Sequence, residues 1–179
     1  MALRFIDGFD HYSIPSQIPL KYTSYNDSGG SSGITTMTGR RSGSTALLFR
    51  ISSDFVGLTF DPQSTWIIGF GLYMLSTETA ELMRFTDSDG TIQAAVSIGN
   101  DGTIRVHRGS YSSGTLLATS SNSLPILTWN FIEVKLTIAD SGGNFEVRVN
   151  ESTWINFSGD TKQSSTLATA VRIQVWGRS

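Results

Sequence analysis

The stretch TWNFIEVKLTIADSGGNFEVRVN, residues 128–150, decides the fold. Ile132, Val134, Leu136 and Ile138 fall on one side of an extended chain; Phe131, Glu133, Lys135 and Thr137 fall on the other. After Ser141-Gly142-Gly143 the alternation resumes, with Phe145, Val147 and Val149 set against Glu146, Arg148 and Asn150. Period two on both sides of a glycine turn is the pattern of a half-buried β-hairpin. Charge selects its register. Lys135 opposite Glu146 also places Glu133 opposite Arg148, Leu136 on Phe145 and Val134 on Val147. A slip of two residues sets Lys135 against Arg148 instead. Each cross-strand pair is worth roughly 0.2–1 kcal/mol, so the first register is favoured, with the turn at Asp140-Ser141.

Working outward, the 179 residues suffice for one domain, 1–179, with its own core. Charge is low and Gly, Ser, Thr and β-branched residues are frequent, which points to an all-β chain. The net charge is −2 and the longest basic block is Arg40-Arg41, so a nucleic-acid partner is not expected. No cysteine is present, which excludes disulfides, thiolate metal sites and cysteine nucleophiles. The longest apolar run, residues 66–75, is broken by Gly69 and Gly71. It falls far short of the ~20 residues of a membrane helix, so no membrane partner is expected. The start, MALRFIDGFDHYS, lacks the apolar core of a signal peptide, and synthesis in a cytoplasm is the expectation.

Strand signals recur along the rest of the chain. Residues 3–9 read as a first strand and residues 22–43 as a long surface loop containing a short strand at 34–38. Strands follow at 46–51 and 55–60. WIIGFGLYML, residues 66–75, is apolar on both faces and reads as a central strand whose glycines let a backbone or bulky side chain come close. Residues 78–84 read as a helical turn or the approach to a strand at 82–86. In a second hairpin Ile98 pairs with Ile104 and Val96 with Val106, and Gly102 supplies the left-handed residue of a three-residue loop. Residues 116–120, 154–157 and 171–176 bring the total to about twelve strands. The expected fold is a two-sheet antiparallel β-sandwich.

Four segments carry a resemblance: FIDGFDHYS (5–13), GRRSGSTALLF (39–49), TWIIGFGLYML (65–75) and residues 128–161, with a turn at Val149-Asn150-Glu151. In this order they resemble the concanavalin A-like, laminin-G-like jelly rolls, specifically those of tailed-phage virion proteins. Many such domains continue past the strand that corresponds to residues 171–176. Here the chain stops at Gly177-Arg178-Ser179, so that strand either closes the sheet or leaves an edge for a neighbouring subunit.

Catalytic chemistry is not expected. Glycosidases of this architecture set carboxylates two apart on one strand face, about 5–5.5 Å from each other when they retain configuration. Asp7 and Asp10 are three apart, Glu78 and Glu81 stand alone, and Glu133 faces a basic partner. His11 and His107 lack a second ligand at metal spacing; His107 is expected on an exposed strand face beside Arg105, and His11 in a capping or packing role. No G-x-S-x-G nucleophile elbow is present. Asp87-Ser88-Asp89-Gly90 and Asn100-Asp101-Gly102 are read as turns before calcium loops, and no cofactor is expected beyond a calcium ion held at a loop rim by distant residues.

Trp66, Phe70, Phe85 and Phe145 read as core. Tyr12, Tyr22, Tyr25, Tyr111, Phe131 and Trp176 have polar neighbours or alternate outward, and are the candidates for an interface or for stacking on sugars. The resemblance implies a non-enzymatic virion protein, a capsid decoration (cement) protein. Its partners would be the major capsid protein or other virion proteins and further copies of itself, as a trimer. The alternative is a carbohydrate-binding, lectin-like module or tail-associated adhesin that grips host surface glycan.

Overall fold

The computed structural model of the chain describes residues 5–10, 12, 15–27, 34–50, 53–164 and 166–177. It is an all-β, antiparallel sandwich with thirteen strands among those residues, against the expected twelve or so. A 3₁₀ turn at Pro15–Leu20 precedes β1 (Ser24–Asn26), β2 (Ile34–Thr38), β3 (Thr45–Phe49), β4 (Phe55–Gln63) and β5 (Thr65–Tyr73). Then follow β6 (Ala80–Thr86), β7 (Ile92–Ile98), β8 (Thr103–Arg108), β9 (Thr115–Ser123), β10 (Trp129–Thr137), β11 (Gly143–Val149), β12 (Ser152–Gly159) and β13 (Ala170–Trp176). Among the described residues no helix is long and apolar enough to cross a membrane.

One sheet has seven strands in the order β1-β4-β13-β6-β7-β8-β9; the other has four, β12-β11-β10-β5. A separate hairpin pairs β2 with β3. The charge argument placed β10 on β11 correctly: Lys135 pairs with Glu146, Glu133 with Arg148, Leu136 with Phe145 and Val134 with Val147. The turn is wider than Asp140-Ser141. Pairing ends at Thr137 and Asn144, because the Ile138 amide turns to the Ser64 carbonyl and the Ala139 carbonyl accepts from the Thr161 amide. The second hairpin pairs Ile98 with Ile104 and Val96 with Val106, and Gly102 sits at φ +78°.

Two expectations are corrected, and the alternatives at residues 78–84 are decided in favour of the strand. Residues 5–10 form no strand; Asp7 bonds its own Phe9 amide, and Phe9 takes a left-handed φ of 61°. β5 lies at the edge of its sheet, not the centre, because only β10 pairs with it among the described residues; its outward Gly69 and Gly71 do make room for the rings of Phe131 and Trp129. Residues 80–86 are strand throughout, with a bulge between Glu81 and Met83. β13 answers the question of closure: it is interior, paired with β4 on one side and β6 on the other. The glycines at 29, 30 and 33, and His11, lie outside the described residues.

The main core lies between the sheets. Phe85 and Phe145 meet edge to face at 6.4 Å, among Leu82, Val96, Ile104, Ile132, Leu136 and Val147. These are the inward residues of the period-two pattern, each worth about 1.5–3 kcal/mol on full burial. A second, smaller cluster joins Ile18, Ile34 and Val56 to Tyr12 and Tyr22, and seats the β2–β3 hairpin.

Candidate functional site

The outer face of the seven-stranded sheet is built row by row from strand register. Gln174, Arg84, Ala95, His107 and Leu116 lie side by side on β13, β6, β7, β8 and β9. Glu81, Ser97, Arg105 and Thr119 form the adjacent row. Residues three apart point to opposite faces of a regular strand. The bulge after Glu81 cancels that alternation and sets Glu81 and Arg84 on one face.

They form a forked ion pair: Arg84 Nε donates to Glu81 Oε1 at 3.0 Å and Nη2 to Oε2 at 2.5 Å. The guanidinium also lies over the Trp176 ring, 4.5 Å from its centre. Phe55 packs against the same indole with ring centres 4.5 Å apart. Trp176 is therefore half-buried and held, and its buried Nε1–H has no acceptor among the described residues. Tyr111 comes from the turn between β8 and β9, where Ser110 Oγ accepts the Ser113 amide at 3.1 Å. Tyr111 and Trp176 line one cleft of ≈ 320 Å³ with Glu78, Thr79, Ala80, Glu81 and Arg84.

The structure thus brings together two of the six residues read from sequence as candidates for stacking or an interface. It separates the other four, with Phe131 on β10 of the four-stranded sheet. Tyr12 and Tyr22 are 6% and 9% exposed, not on the surface. Their hydroxyls donate to Asp7 Oδ2 at 2.7 and 3.1 Å, and Lys21 Nζ lies 3.3 Å from Oδ1. Burial raises the Asp7 carboxyl, but the hydrogen bonds from Tyr12, the Phe9 amide, Tyr22 and Lys21 outweigh it and hold it below its ordinary value. The polar neighbours that suggested surface tyrosines are instead their buried partners. Tyr25 is half-buried beside this cluster and donates to Asp27 Oδ2 at 3.2 Å.

His107 is also corrected: it is 7% exposed. Its Nε2 lies 2.9 Å from Ser97 Oγ. Burial, and then the Arg105 charge, depress its pKa below 6.5 and favour the neutral ring. At the sheet's far end Gln93 Nε2 donates to Asp87 Oδ2 and to the Leu167 carbonyl, while its Oε1 accepts from the Gln163 amide. Asp87 Oδ1 accepts from the Asp89 and Thr91 amides, so both its oxygens serve the turn and Gln93.

Sequence reading missed the Glu81–Arg84 pair. Its spacing suits a helix, and only the pairing of β6 with β7 creates the bulge.

No protein-family model matches the chain, and no curated protein matches it. Solved structures do match. An alginate lyase in complex with alginate trisaccharide superposes with a TM-score of 0.62 at 10% identity, over 97% of this chain and 88% of the lyase. A carbohydrate-binding module from Bacillus subtilis gives 0.53 at 10% identity, over 80% of this chain and 84% of the module. A sialidase gives 0.51 at 16% identity over 68% of this chain, and the chain spans a tenth of that enzyme's length.

At these identities the matches establish the fold, an all-β antiparallel jelly-roll-like sandwich. They also overturn the likeness to phage virion proteins. The capsid decoration role, the major capsid protein and trimeric self-association as partners, and the virion as location are corrected with it, since the scaffold is shared with carbohydrate-binding and carbohydrate-active proteins. The physical reason is that three of the four resembling segments, 39–49, 65–75 and 128–161, are mainly strands and turns of the scaffold, and one scaffold hosts many functions.

Proposed function

We propose that residues 1–179 form one carbohydrate-binding module that holds a glycan on the outer face of the seven-stranded sheet and carries out no reaction on it. The observation that carries this reading is the convergence of Tyr111 and Trp176 on the cleft beside the Glu81–Arg84 pair. A sugar offers an apolar C–H face and a rim of hydroxyls. The tyrosine ring suits the first; the carboxylate and guanidinium, one accepting and one donating, suit the second. Both Glu81 oxygens already accept from Arg84, an arrangement better suited to orienting hydroxyls than to moving a proton. The sandwiches of similar fold named above support the ligand class: one carries an alginate trisaccharide, another is itself a carbohydrate-binding module.

A glycan array tests the reading. The folded protein is expected to bind at least one glycan family, and Tyr111→Ala to weaken that binding about ten-fold, near 1.4 kcal/mol. Trp176→Phe keeps packing against Phe55 and serves as the fold control for Trp176→Ala. No reducing ends or unsaturated products are expected on long incubation with the bound glycan. A folded protein silent across the array sinks the reading, and product formation sinks its non-enzymatic part.

A further inference from the structure

We infer that the outer face of the four-stranded sheet is a second sugar-stacking surface, a strip of Tyr73, Trp129 and Phe131 that takes a neutral oligosaccharide; this rests on the carbohydrate-binding reading above. The strip follows from register. On β10 and β5, Trp129 pairs with Tyr73, Phe131 with Gly71, Glu133 with Gly69 and Lys135 with Ile67. Two of the five outward positions on β5 are glycine. The Phe131 ring tip lies 3.0 Å from where a Gly69 Cβ would stand, and the Trp129 ring edge 3.6 Å from that of Gly71. Tyr73 meets Trp129 with ring centres 5.3 Å apart. Both rings lean across the edge strand, and no β5 side chain stands above them between Ile67 and Tyr73. Alternate strand residues are about 7 Å apart, so Trp129 and Phe131 are spaced on the scale of one sugar ring.

Phe131 is also fixed before any ligand arrives. Its amide donates to Asn150 Oδ1 at 2.8 Å, and its carbonyl accepts from the Asn150 amide at 2.9 Å. Asn150 in turn donates to Asn130 Oδ1 at 3.1 Å. A ring held on a clamped backbone loses little freedom on binding.

Charge selects the occupant. Phe131 and, beside the strip, Ile67 are the exposed large apolar side chains of this face, at 38% and 55%. Beyond the rings, the same face carries Glu133 and Glu146 against Lys135 and Arg148, two acids and two bases. A balanced rim attracts neither a polyanion nor a polycation, and supplies donors and acceptors for hydroxyls.

The test is depletion of the full chain onto powdered cellulose and chitin, with native gels containing soluble xylan or mannan. Wild type is expected to be retained by at least one of these, Phe131→Ala to weaken that retention ten-fold or more, and Phe131→Tyr to restore it. If Tyr111→Ala abolishes retention and Phe131→Ala does not touch it, this inference fails and the cleft reading stands. If wild type is retained by none while the array shows binding, the strip alone fails; if the array is silent too, both fail. A dimer in sedimentation that Phe131→Ala dissociates also overturns the inference, because the strip is then a contact between copies.

Discussion

The two sheets bury their inner faces against one core, yet their outer faces are made differently. On the four-stranded sheet only the charges are a local product, paired within the β10–β11 hairpin; the rings of β10 lie over glycines of the edge strand β5, which is distant in sequence. On the seven-stranded sheet the outer face is a collective product. Glu81 and Arg84 meet through a bulge, Ser97 and His107 through cross-strand register, and Tyr111 and Trp176 from a turn and a strand 65 positions apart in sequence. Period two fixes which side of a strand a residue takes. It does not fix which residues from distant strands become neighbours there.

Four substitutions and one titration test this contrast. Phe145→Ala removes the ring shared by both layers, and about 3–5 kcal/mol of stability is expected to go with it. Chemical denaturation reads this. Binding at the cleft and at the strip should fail together, and loss of one alone would show that the faces do not share a core. Asp7→Ala strips the buried acceptor from Tyr12 and Tyr22 and should cost about 1–3 kcal/mol. Because that cluster is separate from the main core, sugar binding at either face should survive in the variant, and a loss of cleft binding would break the separation.

pH sharpens the comparison further. The folded His107 pKa lies below the ordinary 6.5, so its contribution is complete above pH 6.5 and is lost as pH falls through the window below. The expected result is a fall in thermal stability as pH drops below 6.5, with a slope of at most one proton, absent in His107→Gln. A variant with the wild-type slope would show that His107 is not the titrating group. The Asp7 contribution has the opposite chemistry but the same direction: its lowered pKa stabilises the fold above the ordinary value of 3.8 and is lost as pH falls below it. The smallest effect is expected from Gly69→Ala. Its Cβ meets the Phe131 ring tip, and overpacking of about 1 kcal/mol should shift the strip and leave the cleft untouched. Equal loss of binding on both faces would erase the distinction.

Much of the local structure was legible. Opposite charges chose the β10–β11 register, and Gly102 announced the β7–β8 loop, because each is decided within a single hairpin. Even the strip was foreshadowed by two outward glycines in an otherwise bulky strand. Tyr12 and Tyr22 show where such reading stops. Polar neighbours suggested exposure, whereas Asp7 turned out to be the buried acceptor of both hydroxyls.

By itself the sequence determined the fold class, the two hairpins and which of their residues face the core, since period two and turn chemistry are local properties of the chain. The tertiary structure alone decided that β13 is interior, that β5 is an edge, and that Glu81, Arg84, Tyr111 and Trp176 share a cleft. Those outcomes depend on strand order and on a bulge set by pairing with another strand, and no short stretch of residues specifies either.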